Sequence, residues 1–170
     1  TQAARALGPE PKWLDAIGFL GPRVLAAHGV WLDGEDLALF ASKGVALSHN
    51  PESNMKLGSG VAPVAAARMA GVTVGLGTDG VAGSNNDLSM FEAMDFAGKL
   101  AKVATGDPTA LPARELVAAA TRGGAAVLGF ADRIGSLEPG KRADMIVIGV
   151  GHAHIQPFED VYSALVYSVK

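Results

Sequence analysis

The sequence predicts an α/β fold built around a parallel sheet, and three observations carry that prediction. From about residue 24 the chain alternates short β-branched or apolar runs with longer helical patterns, the signature of βα units. Helical stretches stop at Gly44 and Gly71, and an apolar run follows each at once, Val45-Ala46-Leu47 and Val72-Thr73-Val74. Polar residues with chemical potential fall where these runs end: His28, then Ser48-His49-Asn50, then Thr78-Asp79.

Taken in order, "RVLAAHGV" (23–30) reads as the first strand. "DGEDLALFASKG" (33–44) reads as a helix, with acidic residues in its first turn, apolar residues at Leu37, Phe40 and Ala41, and a glycine stop. "VALSHN" (45–50) is the second strand, "PESNMKLGSG" a loop, "VAPVAAARMAG" (61–71) a helix and "VTVGLG" (72–77) the third strand. After a loop over 78–86, Asp87 is the expected N-cap of the helix "LSMFEAMDFAGKLAKVATG", whose apolar face includes Met90, Met94, Ala97 and Ala101. "LPARELVAAATRGGAAVLGF" (111–130) reads as a helix or helix pair broken near Gly123-Gly124. "DRIGSLEPGKRADMIVIGV" (132–150), with a Pro-Gly turn and a β-branched run, reads as a small β appendage. "FEDVYSALVYSVK" (158–170) ends in mid-pattern, so the chain is expected to be part of something longer.

Composition narrows the classes. The chain has 170 residues, 49% hydrophobic and 18% charged, which is enough apolar material for one soluble domain. With 14 Lys+Arg against 17 Asp+Glu and no basic run, its net charge of -3 argues against nucleic acid or an anionic membrane as partner. Cysteine is absent, so any metal must be held by His, Asp or Glu. No apolar stretch reaches membrane-spanning length and "TQAARALGPEPKW" has no signal-type apolar region, so a cytoplasmic location is expected.

The carboxyl ends of strands in parallel α/β folds face the ligand site, so His28, His49 and Asp79 are expected to converge there. The alternative is that the two histidines are hydrogen-bonded core residues and Asp79 caps a turn. "GLGTDG" (75–80) matches the dinucleotide pattern G-x-G-x-x-G, yet fails its physics. No helix opens within it to aim N–H groups at a pyrophosphate, and Asp79 would set a negative charge against the phosphates. A carboxylate at the end of a buried strand instead requires a hydrogen-bond network or a metal ion. "HAH" (152–154) has the spacing of a ligand pair on a strand, but its Gly and Pro neighbours place it in a turn or on the surface.

These residues then show a family likeness. "AAHGVWLDGEDLALFASKGVALSHNPESNMKLGSGVAPV", "GLGTDGVAGSNNDLSMFEAM" and "IGSLEPGKRADMIVI" resemble the carboxyl-terminal half of the metal-dependent amidohydrolases. The resembling branch holds 5-methylthioadenosine/S-adenosylhomocysteine deaminases and triazine hydrolases. The resemblance implies a partial (β/α)8 TIM barrel, strands six to eight with their helices, over 1–130. It implies part of a small β-sandwich and a following segment over 131–170.

By the same resemblance, Asp79 is the strand-eight aspartate that binds the metal and takes a proton from the attacking water. His28 contacts the attacking hydroxide and substrate; His49, Asn50, Ser53 and Asn54 line the same mouth, and Ser84 and Asn85 lie near the substrate. The implied cofactor is one divalent metal of the zinc class, with iron or manganese as alternatives. The family's other ligands, an H-x-H pair after strand one and a histidine in an H-x-x-E segment after strand five, are not in this sequence, and 152–154 maps to the β appendage instead. The implied reaction is deamination of an aromatic amine such as the adenine ring of methylthioadenosine or S-adenosylhomocysteine. Triazine chloro- or aminohydrolysis, another purine deamination, or a non-catalytic α/β binding or scaffold module are the alternatives. Three strands leave open sheet edges, so the missing N-terminal half of the barrel or a second copy of the chain is an expected partner, alongside a small-molecule substrate.

Overall fold

In a computed structural model, residues 10–169 are described. Three short strands, β1 (Leu25–Ala27), β2 (Ala46–His49) and β3 (Val74–Leu76), form a sheet in that order. Both pairings are parallel, with Leu25 opposite Ala46 and Ser48 opposite Gly75. Helix α1 (Glu10–Ala16) precedes β1, α2 (Gly34–Lys43) connects β1 to β2, and α3 (Pro51–Lys56) and α4 (Val64–Met69) connect β2 to β3. Parallel strands require such crossovers, as the alternating pattern anticipates.

Local chemistry sets the limits of α2. Asp33 Oδ1 accepts from the Glu35 and Asp36 amides at 2.9 Å each, and the Asp36 carboxylate accepts from the Asp33 amide at 3.3 Å. This reciprocal cap satisfies donors that the first helical turn leaves free. At the other end Gly44 turns left-handed, φ 70°, and ends the helix.

The core lies where these helices meet the sheet. Leu37 and Phe40 of α2, Val45 and Leu47 beside and within β2, Val64 and Ala67 of α4, and Val72 and Val74 at β3 are all buried. Burying each larger side chain contributes roughly 1.5–3 kcal/mol. Met94 and Ala97 of α5 (Met90–Thr105) and Leu116 of α6 (Ala113–Ala118) extend this core.

The expected break at Gly123-Gly124 is a widened turn instead. Residues Ala119–Gly123 form a π-helical turn between α6 and α7 (Gly124–Val127), and both glycines keep right-handed helical angles. Packing explains the glycines: a Cβ on Gly123 would lie 2.5 Å from the Val74 carbonyl oxygen, and one on Gly75 would lie 2.8 Å from Val127 Cγ2. Helix and strand therefore meet backbone to backbone at β3. The last helix, α8 (Val161–Tyr167), packs on α5 and α6, and is capped by Asp160, whose Oδ1 accepts from the Ser163 amide at 2.6 Å.

Three further expectations are corrected. Asp87 is not the cap of α5: Ser89 is, its hydroxyl accepting from the Glu92 amide at 3.2 Å, while Asp87 accepts from the Ser89 amide at 2.8 Å in the turn before it. Residues 51–56, expected as loop, form α3, started by a proline whose missing N–H is no loss in a first turn. The β appendage over 132–150 forms no strand among the described residues, and Met145, Ile146 and Val147 are 65%, 74% and 96% exposed. A β-branched run becomes a strand only when a neighbour takes its hydrogen bonds, and none lies beside it among those residues. The three strands are also shorter than their sequence runs. No helix of the described residues is long and apolar enough to cross a membrane.

Candidate active site

The parallel register brings the carboxyl ends of the strands together. The His28 amide donates to the Ser48 carbonyl and the Gly77 amide to the His49 carbonyl, both at 2.9 Å, so the ladder runs on past each strand. Beyond that point the backbone turns away sharply. His28 and Asp79 both adopt left-handed angles, φ 67° and 62°, uncommon for residues with a Cβ. Strain of this kind clusters where side chains must be aimed.

Helix α3 reaches both turned residues. Ser53 Oγ donates to Asp79 Oδ2 at 2.7 Å, and Asn54 Oδ1 lies 2.9 Å from His28 Nδ1. Ser53 and Asn54 are 0% and 1% exposed, so each bond is anchored on its α3 side by a buried residue. Successive residues diverge by about 100° around a helix, which lets neighbours serve different strand ends. An amide oxygen only accepts, so in the neutral tautomer that matches this contact Nδ1 carries the proton and Nε2 is an acceptor. That Nε2 faces Asp79 Oδ2 at 3.8 Å.

The Ser53 hydroxyl, with the Gly80 amide donating to Asp79 Oδ1 at 2.9 Å, holds the Asp79 carboxyl below the ordinary carboxylate range. Asp79 is therefore charged at neutral pH, able to take up a proton or to offer oxygen to a cation. His49 behaves oppositely. It is buried, 2% exposed, and burial, aided by the nearby His28, pushes its ring down to about 4. Its Nδ1 has no hydrogen-bond partner among the described residues, and the ring is neutral.

Asn50 accepts from Ser48 Oγ at 3.1 Å through Oδ1, and this same oxygen occupies the space a Cβ on Gly77 would need. Ser84 Oγ donates to the Gly80 carbonyl at 2.9 Å. Asn85 is buried; its amide donates to Glu52 Oε2 at 3.0 Å and to the Thr78 carbonyl at 2.9 Å, and its oxygen accepts from the Asn86 amide at 2.8 Å. Glu52 is the site residue that the sequence reading does not single out. It is buried, and burial, reinforced by the charge of Asp87, raises its carboxyl above the ordinary range. Carboxylate oxygens of Glu52, Asp87 and Glu92 all lie within 4.8 Å of one another. The only sequence signal was its place in the first turn after Pro51, hidden while 51–60 read as loop.

His152 and His154 stand outside this site. They flank Ala153 at a 3₁₀ turn, Ala153–Ile155, both exposed, with rings stacked at 5.6 Å, in accord with a turn or surface feature. As a metal site the strand ends offer one charged carboxylate, Asp79, and the facing Nε2 of His28. Those donors suit a zinc-class ion, and two of them are fewer than the three protein ligands that catalytic zinc takes.

Residues 5–169 match the amidohydrolase family. The chain belongs to that family. This amidohydrolase chain is 52% identical over 155 residues to the 5-methylthioadenosine/S-adenosylhomocysteine deaminase of Desulforudis audaxviator, covering 91% of the chain and 36% of that relative. It superimposes on an adenosine deaminase from Xanthomonas campestris with bound zinc at a TM-score of 0.89 and 44% identity, over 92% of the chain and 36% of that protein. The atrazine chlorohydrolase of Arthrobacter aurescens complexed with zinc aligns at a TM-score of 0.78 and 33% identity, over 92% and 34%. The chain thus spans about a third of the length of the relatives it matches.

Proposed function

We propose that this amidohydrolase chain is the C-terminal part of a metal-dependent deaminase acting on the adenine ring of a 5′-modified adenosine, such as methylthioadenosine or S-adenosylhomocysteine. The observation that carries the reading is the convergence of a charged Asp79 and an acceptor Nε2 of His28, each held by a buried residue of α3. The metal is of the zinc class and Asp79 would be among its ligands. When bound, it supplies the Lewis acidity that brings water toward ionisation at neutral pH.

The chain's own residues do the rest. The Asp79 carboxylate accepts the proton that the attacking water gives up and returns it to the departing ammonia. His28 Nε2 accepts a hydrogen bond from that water and orients it toward the ring carbon bearing the amino group. Ser53 and Asn54 keep the two groups in register, and the neutral His49 offers an uncharged wall beside them. Asn50 and Ser84 complete the polar rim on the substrate side.

Ammonia release by the full-length protein tests the reading. Methylthioadenosine and S-adenosylhomocysteine should yield ammonia, and Asp79→Asn should abolish it. Turnover of a chloro- or alkylamino-triazine in preference to either nucleoside would establish the triazine alternative instead. Absence of all turnover in a zinc-loaded full-length protein would leave a non-catalytic module.

A further inference from the structure

The loop from Thr78 to Asn86 has no regular structure, yet it carries Asp79 in a left-handed conformation that a non-glycine residue holds only when its surroundings over-determine it. Asn85 restrains it on its far side through both side chain and backbone, beside the Ser84 hydroxyl that bonds Gly80. Asn85 Nδ2 donates to the Thr78 carbonyl at 2.9 Å, and the Asn85 backbone amide donates to the Gly80 carbonyl at 2.9 Å. The Thr78 carbonyl lies in the peptide plane that contains the Asp79 nitrogen, so the first bond fixes the plane about which the Asp79 φ angle turns. Asn85 Nδ2 also donates to Glu52 Oε2 at 3.0 Å, tying the loop to α3.

Every polar group of the Asn85 side chain is thereby used within the protein, with its oxygen taken by the Asn86 amide. Asn85 and Glu52 are 7% and 6% exposed, so little of either faces a ligand. Glu52 directly precedes Ser53, whose hydroxyl holds the Asp79 carboxylate. One helical turn therefore grips Asp79 twice, at its carboxylate through Ser53 and at its peptide through Glu52 and Asn85.

We propose that Glu52 and Asn85 are positioning residues, a brace that sets the backbone of Asp79 and so the aim of its carboxylate, with Asn85 serving this role in place of substrate contact. The inference rests on the reading of Asp79 as the reacting carboxylate.

Variants of the full-length protein test it. In Asn85→Ala and in Glu52→Ala, kcat should fall roughly 10²-fold, the order expected of a small misplacement, with KM unchanged. Glu52→Gln keeps an acceptor oxygen for Asn85 and should restore kcat, and the Glu52→Ala/Asn85→Ala double variant should lose no more than Asn85→Ala alone. Amide hydrogen exchange should quicken across 78–86 in both alanine variants and stay unchanged in β2. If Glu52→Ala does not fold, Asn85→Ala carries the same comparison.

A raised KM with intact kcat in Asn85→Ala would make Asn85 a substrate ligand and overturn the brace. Unchanged exchange and unchanged kcat in both alanine variants would overturn it too. Full turnover in Asp79→Asn would instead overturn the reading of Asp79, while the exchange measurement would still report on the brace.

Discussion

One histidine and one aspartate at the strand ends, His49 and Asp79, respond to protons in opposite ways. Asp79 is stabilised as an anion by Ser53 first and by the Gly80 amide, so Ser53→Ala should raise its pKa and shift the acid limb of the kcat/KM profile to higher pH. An unmoved acid limb would mean that another group sets it. His49 is stabilised as the neutral ring, with its folded pKa lowered from 6.5 to about 4. The unfolded chain therefore binds the proton first as pH falls. Stability is whole above pH 6.5 and is lost progressively toward 4, by on the order of 3 kcal/mol in all. Chemical denaturation of the parent and of His49→Phe across that window checks this, and the variant's curve should be flatter. At this scale the sequence was legible in part: His28 and Asp79 stood out because strand ends face the site. The resemblance set Ser53 and Asn54 at the same mouth, but their bonds to Asp79 and His28, and the place of Glu52, were hidden, because they depend on a helix six residues long.

Elements explain why that helix escaped notice. Six residues are too few to show a helical period, so the start signals that were present, Asn50 at the N-cap and Pro51 in the first turn, had no periodic run behind them. Asp87 and Ser89 compete for the start of α5 because both are good caps, and only the geometry of Glu92 decides for serine. The β-branched run at 146–148 shows the converse: propensity without a neighbouring strand makes no strand. By contrast α2 was readable to its ends, since Asp33 and Gly44 are capping residues in the expected places. Asp33→Ala should cost about 1 kcal/mol by losing that cap. Gly123→Ala should cost more, about 1–3 kcal/mol, because its Cβ would meet a backbone carbonyl at 2.5 Å that cannot swing aside. Thermal melts of the two variants in the full-length protein should rank them in that order, and a Gly123→Ala melt equal to the parent's would refute the close packing at β3.

At the scale of the whole molecule, the described residues form an open three-stranded sheet whose strand ends bring one charged carboxylate, Asp79, to a metal, fewer than the three protein ligands of catalytic zinc. The expressed chain by itself should retain less than stoichiometric zinc after dialysis against a mild chelator and should release no ammonia. Metal analysis alongside an ammonia assay decides it, and full zinc retention with turnover would show the chain to be sufficient. The glycines of "GLGTDG" fit this scale as well. Gly75 lets α7 approach the sheet and Gly77 makes room for Asn50, so the sequence likeness to a phosphate loop arises from packing.

The anchoring of His28 and Asp79 by consecutive residues of α3 has a dynamic consequence. Ser53 and Asn54 share a peptide bond, so any sliding of α3 over the sheet displaces the imidazole and the carboxylate as a common mode. Two side chains that stand on different strands are thereby coupled through one short helix.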